Sequence, residues 1–373
     1  MKTSISSPVL ARRDFLKTAG LAASGLALAQ PVILSGQTAG PALTVGFVGC
    51  AHIHTPEFVG VLKSRPEVKV KAVWDHDLAR AEKRAGELGS RTVADVKEIW
   101  SDESIQAVII ASETNRHRDL VLAGAAARKH MFVEKPLGIT AAESYEMAEA
   151  IEKNKLLFTT GYFMRTQSMN LFLKEQVEAG SLGKITRIRG SNCHSGSLGG
   201  WFDKEWRWMA DPKQAGVGAF GDLGTHSLDI MMWLLGDVEA VTADVRVVTG
   251  RYGECDETGE AVLRFKNGVI GTLAAGWVSV DNPIPMEISG TEGHIVVVKN
   301  DLYFKSKKVE GADGSDPWRK MPRNQARPLP QFLDAVAGKP GMALVSVREA
   351  AARVAVMEAA YKAARTQTWV KPA

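Results

Sequence analysis

From Leu43 onward, short apolar runs alternate with stretches whose apolar residues recur every three to four positions. The runs predict strands at 44–48, 68–74, 107–111, 131–134 and 157–161, and the periodic stretches predict helices near 57–64, 77–88, 95–100, 116–128 and 141–153. Strands alternating with helices imply parallel βαβ units with right-handed crossovers, hence a doubly wound α/β sheet. After about residue 165 the texture changes. Longer β-like runs follow at 184–192, 238–248, 260–265, 269–280, 286–289 and 294–298, several of them joined by glycine-bearing turns such as Lys266-Asn267-Gly268. These favour a second, α+β part with a mostly antiparallel sheet carrying the helix of residues 222–236 on one face. Helices near 331–337 and 347–365 close the chain. The division expected is 43–162 for the doubly wound part and 163–373 for the α+β part, with a site in the crevice between them.

The chemistry concentrates at two places. The apolar strand 131–134 runs into Glu134-Lys135-Pro136, so Lys135 sits at the carboxyl end of a buried parallel strand, where open α/β sheets bind ligands. Glu134 is expected to fix the Lys135 ammonium, and Pro136 to lock the turn through a cis Lys-Pro bond. Further on, Asp222 and His226 are four residues apart and share one helix face. A histidine near its ordinary pKa can take the proton of an alcohol and return it.

With Glu134-Lys135-Pro136, Asp222-x-x-x-His226 and the first strand together, the chain resembles the Gfo/Idh/MocA family of NAD(P)-dependent oxidoreductases over nearly all of residues 42–370. The resemblance implies a Rossmann domain, a bound nicotinamide cofactor, and catalysis by Lys135, Asp222 and His226. Either His226 or Lys135 is the base; Asp222 holds the substrate hydroxyl or orients the imidazole. It also implies that the loop with Thr114, Asn115 and His117 lies along the nicotinamide side, and that Arg165 reaches the substrate or forms a hinge salt bridge. Trp201, Phe202, Trp206, Arg207 and Trp208 precede the catalytic helix; most are expected to pack, with Trp206 and Arg207 as candidate substrate contacts.

The cofactor loop is expected at Gly49, Ala51, His52 and Ile53, after the first strand, and the resemblance implies that Glu134 and Lys135 also contact the cofactor. Ala51 and His54 stand where the dinucleotide fingerprint has its second and third glycines. His52 and His54 have no carboxylate or cysteine at metal-ligand spacing, so no metal is expected. Asp75 ends the second strand where a carboxylate accepts adenosine ribose hydroxyls, which favours NAD; Arg80, one turn on, leaves NADP open.

Bulk numbers bound the rest. The chain has 373 residues, enough for two cores, and its net charge of +4 lies mostly in the first 29 residues, through Lys2, Arg12, Arg13 and Lys17 against Asp14. The remainder is near neutral and gives no electrostatic reason to bind nucleic acid. Three cysteines make no paired framework. Arg12-Arg13-Asp14-Phe15-Leu16-Lys17, a weakly apolar stretch and Ala27-Leu28-Ala29 read as a twin-arginine signal over 1–29, with 30–42 as linker. The expectation is a periplasmic enzyme, exported folded by the twin-arginine machinery and assembled as a dimer or tetramer. It would hold its nucleotide tightly and oxidise or reduce a sugar, polyol or glycoside hydroxyl. An NAD-dependent glycosidase and a non-catalytic binding protein are the alternatives.

Overall fold

The computed structural model describes residues 43–373; the export signal and linker expected at 1–42 lie outside the described residues. The first half runs β1 (Leu43–Cys50), α1 (Thr55–Lys63), β2 (Val68–Trp74), α2 (Leu78–Leu88), β3 (Arg91–Thr92), α3 (Lys97–Trp100), β4 (Ala107–Ala111), α4 (His117–Ala126), β5 (His130–Val133), α5 (Ala141–Lys153) and β6 (Phe158–Thr160). Its six strands are all parallel, in the order β3-β2-β1-β4-β5-β6. Every residue of β4 is buried, because a parallel strand covered on both faces has no polar side to offer. Side-chain caps start two of the helices: Asp77 accepts from the amides of Ala79 and Arg80, and Thr140 from that of Glu143.

The second half contains α6 (Ser168–Glu178), β7 (Ile185–Cys193), α7 (Pro212–Ala215), α8 (Ala219–Leu235), β8 (Val238–Arg246), β9 (Thr258–Phe265), β10 (Ile270–Gly276), β11 (Met286–Gly290), β12 (Gly293–Val298), β13 (Asp301–Ser306), β14 (Asp313–Pro317), α9 (Pro328–Val336) and α10 (Val347–Thr366). Eight strands form one sheet in the order β14-β13-β12-β11-β7-β10-β9-β8, antiparallel except for β7 beside β10. Helix α8 is buried almost along its whole length and lies on the central strands β7 and β10. The strand expected at 269–280 is shorter, ending at Gly276. Strands β3, β13 and β14 and helices α6 and α7 have no counterpart in the expected elements.

The chain then returns. Leu329, Phe332 and Leu333 of α9 join the core on one face of the first sheet, and Val347, Ala350, Ala351 and Val354 of α10 join the core on the other. One turn further, Val356, Met357, Ala359 and Ala360 of the same helix pack into the second core. A boundary at residue 163 therefore separates the sheets but not the cores.

Candidate active site

Strand order reverses at β1 and β4, and the site opens at their carboxyl ends, where the two flanking crossovers diverge. At the end of β1, Gly49 takes φ +78°, and a Cβ there would stand 2.5 Å from the Cβ of Ser112; only glycine allows the two strand ends to approach this closely. Beside it, Cys50 donates its amide to Asp75 Oδ2 at 2.6 Å, which fixes the carboxylate at the tip of β2 against the loop. The loop itself is roofed by the second half: Trp208 Nε1 donates to the Ala51 carbonyl at 3.0 Å. Ala51 and His52 are buried beneath this contact, and Ile53 is half-buried.

The two motifs on which the family resemblance rests meet across the halves. Lys135 Nζ lies 2.6 Å from Asp222 Oδ1, and Trp277 Nε1 donates to Asp222 Oδ2 at 3.1 Å. Lys135-Pro136 is a cis peptide bond. Burial works to raise the Asp222 carboxyl, but the Lys135 ammonium outweighs it and holds the group at about 2. Asp222 is thus a carboxylate bonded to lysine and tryptophan, rather than a group that orients the imidazole. His226, one turn on, is buried among Phe163 and Tyr162, whose ring centroids lie 5.1 and 6.1 Å away. Its Nδ1 has no hydrogen-bond partner among the described residues. Burial, reinforced by the Lys135 charge, pushes its pKa well below the ordinary value, so the ring is neutral. A narrow cavity of about 10 Å³ between the halves is lined by His52, Thr114, Lys135, Trp208 and Asp222, among others.

Several expected roles are corrected by this geometry. Glu134 does not hold the Lys135 ammonium. It is wholly buried, its Oε1 meets His54 Nδ1 at 3.0 Å, and its Oε2 accepts the Lys135 amide at 2.8 Å. The carboxylate fits there because residue 161 is glycine; a Cβ would lie 2.6 Å from Glu134 Oε2. Burial works to raise the Glu134 carboxyl, but His52, His54 and Lys135 together hold it well below the carboxylate range. It is therefore not free to bind a cofactor.

The fold also supplies the carboxylate that spacing did not place near His52 and His54. Those two rings and Glu134 bring potential ligand atoms within 4.8 Å of one another. The donor pattern, however, suits a proton. His52 Nδ1 accepts the His54 amide at 3.2 Å, so the proton of the neutral ring sits on Nε2, 3.8 Å from Glu134 Oε2. That nitrogen has no lone pair to offer a cation. Burial lowers the His52 pKa to about 3 against the pull of Glu134, which keeps the ring neutral.

His117 does not face the cofactor cleft. It is fully buried, with Nδ1 3.2 Å from the carbonyls of Pro136 and Leu137 and Nε2 3.3 Å from that of Ser112, so it ties two loops together. Arg165 is a salt bridge, bidentate to Asp229 and joined to Glu349 at 2.8 Å, rather than a substrate contact. Arg207 stacks on Tyr252, 4.9 Å from the ring centroid. Trp206 packs half-buried against the second core, and Trp208, expected only to pack, lines the cleft. Thr114 also lines it, whereas Asn115 is exposed. Three residues went unnoticed in the sequence: Trp277, Trp208 as a cleft residue, and Glu113. Glu113 had a readable signal, a carboxylate two residues after an entirely apolar parallel strand.

Comparison with known proteins fits this geometry. Residues 43–162 match the oxidoreductase family described as NAD-binding Rossmann fold, and residues 171–296 match the GFO/IDH/MocA C-terminal domain. Levoglucosan dehydrogenase of Pseudarthrobacter phenanthrenivorans is 31% identical over 280 residues, covering 67% of this chain and 71% of that protein. The chain belongs to the GFO/IDH/MocA family. Other relatives of this GFO/IDH/MocA protein are a myo-inositol 2-dehydrogenase of Thermotoga maritima, 31% identical over 62% of this chain and 67% of its own length, and the NAD(+) scyllo-inositol 2-dehydrogenase of Bacillus subtilis, 29% identical over 64% and 68%. A levoglucosan dehydrogenase solved with NADH and levoglucosan shares the fold, with a TM-score of 0.75 at 22% identity over 88% of this chain and 99% of that one. As a family member the chain is an NAD-dependent oxidoreductase. The residues present fit that cofactor: a glycine turn at the switch point, a carboxylate at the tip of β2, and Lys135, held by Asp222, in the cleft at the end of β5.

Proposed function

We propose that this oxidoreductase moves a hydride between NAD and the hydroxyl-bearing carbon of a sugar, cyclic polyol or glycoside, in the periplasm. The observation that carries the reading is a buried Lys135 ammonium bonded to Asp222, with a buried, neutral His226 one turn along the same helix whose Nδ1 has no partner among the described residues. The substrate class is supported by the relatives, named for levoglucosan and inositols.

NAD, when bound, supplies the hydride acceptor. His226, already deprotonated, takes the hydroxyl proton during alcohol oxidation and returns it in reduction. The Lys135 ammonium donates to the reacting oxygen and stabilises the negative charge that develops there. Asp222 and Trp277 keep that ammonium in place. Retention of both Asp222 and His226 favours this reading over the glycosidase alternative.

The full chain, purified and scanned for reduced-nicotinamide absorbance before and after NAD and a panel of anhydrosugars, inositols and glycosides, tests the reading. A substrate-dependent rise in that band is expected; failure to bind NAD, or no spectral change with any of the panel, overturns it. Periplasmic export rests on Arg12-Arg13 and the apolar stretch behind them. Cell fractionation with Arg12→Lys/Arg13→Lys tests it, retention in the cytoplasm being the expected result. An oligomer built on the open face of the second sheet is the assembly we expect, read by light scattering.

A further inference from the structure

The adenosine end of the site holds a second carboxylate besides Asp75. Glu113, just beyond the end of β4, is 3% exposed. Its Oε1 accepts from Arg80 Nη2 at 2.8 Å and meets His76 Nε2 at 2.9 Å. The same Arg80 nitrogen reaches Asp75 Oδ1 at 2.8 Å, and Arg80 Nε reaches it at 3.2 Å. Arg80 is therefore clamped between two carboxylates.

Asp75 keeps one acceptor position, on Oδ2. Oδ1 already takes Arg80 and the Asp77 amide at 2.7 Å, and Oδ2 takes the Cys50 amide at 2.6 Å. Glu113 differs. Its Oε2 is buried without a hydrogen-bond donor among the described residues, the nearest cationic nitrogen being Arg116 Nε at 3.4 Å. Burial works to raise the Glu113 carboxyl, but His76 and Arg80 help to outweigh it, so the group stays charged.

A dinucleotide with a 2′-phosphate needs a free guanidinium fork and no uncompensated anion beside it. Glu113 denies both. It pins the arginine that could turn to the phosphate, and it adds fixed negative charge in a low-dielectric corner where repulsion is strong. A ribose diol carries no charge and meets no such penalty.

Resting on the NAD reading above, we propose that Glu113 is the residue that makes this site select NAD against NADP, by clamping Arg80 onto Asp75 and holding a carboxylate where the 2′-phosphate would lie. The sequence-based expectation assigned that selectivity to Asp75 alone.

Fluorescence titration of the full-length protein with NADH and NADPH tests this without any substrate. Wild type is expected to prefer NADH by about a hundredfold or more, in keeping with the several kcal/mol that a misplaced charge costs. Glu113→Gln, which keeps the shape and removes the charge, should narrow that preference at least about tenfold, mainly by tightening NADPH. Glu113→Ala should move in the same direction and guards against a folding defect peculiar to one variant. Adding Arg80→Ala to Glu113→Gln should abolish the gain. An unchanged ratio in folded Glu113 variants, or a gain that survives loss of Arg80, overturns the proposal while leaving NAD binding intact. A wild type that binds NADPH as tightly as NADH also overturns it, and one that binds neither overturns the oxidoreductase reading as well.

Discussion

Arg165 forks onto Asp229, Nη2 to Oδ1 at 2.6 Å and Nε to Oδ2 at 2.8 Å, one helical turn beyond His226. Arg353 Nε joins Oδ1 from α10 at 2.9 Å. Helix α8 is thus held by a buried carboxylate between two arginines. Losing one arginine leaves the carboxylate still paired; losing the carboxylate leaves two buried cations with only the half-buried Glu349 between them. Asp229→Ala should therefore cost about 3–5 kcal/mol in urea denaturation, and Arg165→Ala clearly less. Equal or negligible costs would show that the cluster does not hold α8.

Removal of the Lys135 ammonium should damage turnover more than binding. Lys135→Met is expected to lower kcat by about 10²–10³, the range for losing one donor to a developing oxyanion, with NADH affinity nearly unchanged. Parallel kcat measurements and NADH titration decide it. A variant that loses NADH affinity while turning over normally would move Lys135 from chemistry to cofactor binding.

His226→Asn should lower kcat by about 10²–10⁴, the usual contribution of a positioned base. Because the folded-state pKa of His226 lies well below the ordinary histidine value, kcat/KM in the oxidation direction should show no acid limb near pH 6.5. An acid limb centred there that vanishes in His226→Asn would contradict the neutral ring described above.

Acid should destabilise the fold early. His52 titrates near 6.5 in the unfolded chain and at about 3 in the folded one, so the unfolded state gains a proton first as pH falls. Its stabilising contribution is complete above pH 6.5 and shrinks toward pH 3, by up to ~1.4 kcal/mol per pH unit. His226, shifted the same way, adds to the slope. Asp222 acts lower down: its contribution is present above about pH 4 and disappears as pH falls through about 2. Thermal melts from pH 8 to 4 should show Tm falling below 6.5, less steeply in His52→Gln. A flat Tm across that window would show that the histidines are not held neutral.

Much of the nucleotide half can be read from residues alone, because its signals are local. Helix α5 falls at 141–153 as expected, with Thr140 as its cap and buried Ser144, Met147, Ala148 and Ile151 along one side. Strand β4 is an uninterrupted Ala-Val-Ile-Ile-Ala. Two of the elements that escape are very short or polar: β3 has two residues, and β14 reads Asp-Gly-Ser-Asp-Pro and is strand only because β13 lies beside it. In the site, the residue types were legible and their partners were not. Glu134 turns to His54 rather than to the Lys135 ammonium because Gly161, on a different strand end, leaves it room, and no spacing along the chain encodes that choice.

Helix α10 divides its side chains between two cores, with Val347 to Val354 completing the nucleotide half and Val356 to Ala360 entering the other. During synthesis the six parallel strands emerge long before that helix does. The dinucleotide half must wait, its hydrophobic faces unfinished, until residues 347–354 have left the ribosome. Nascent chains stalled before residue 347 should therefore be far more open to protease than the released protein, although every strand of the first sheet has already been made.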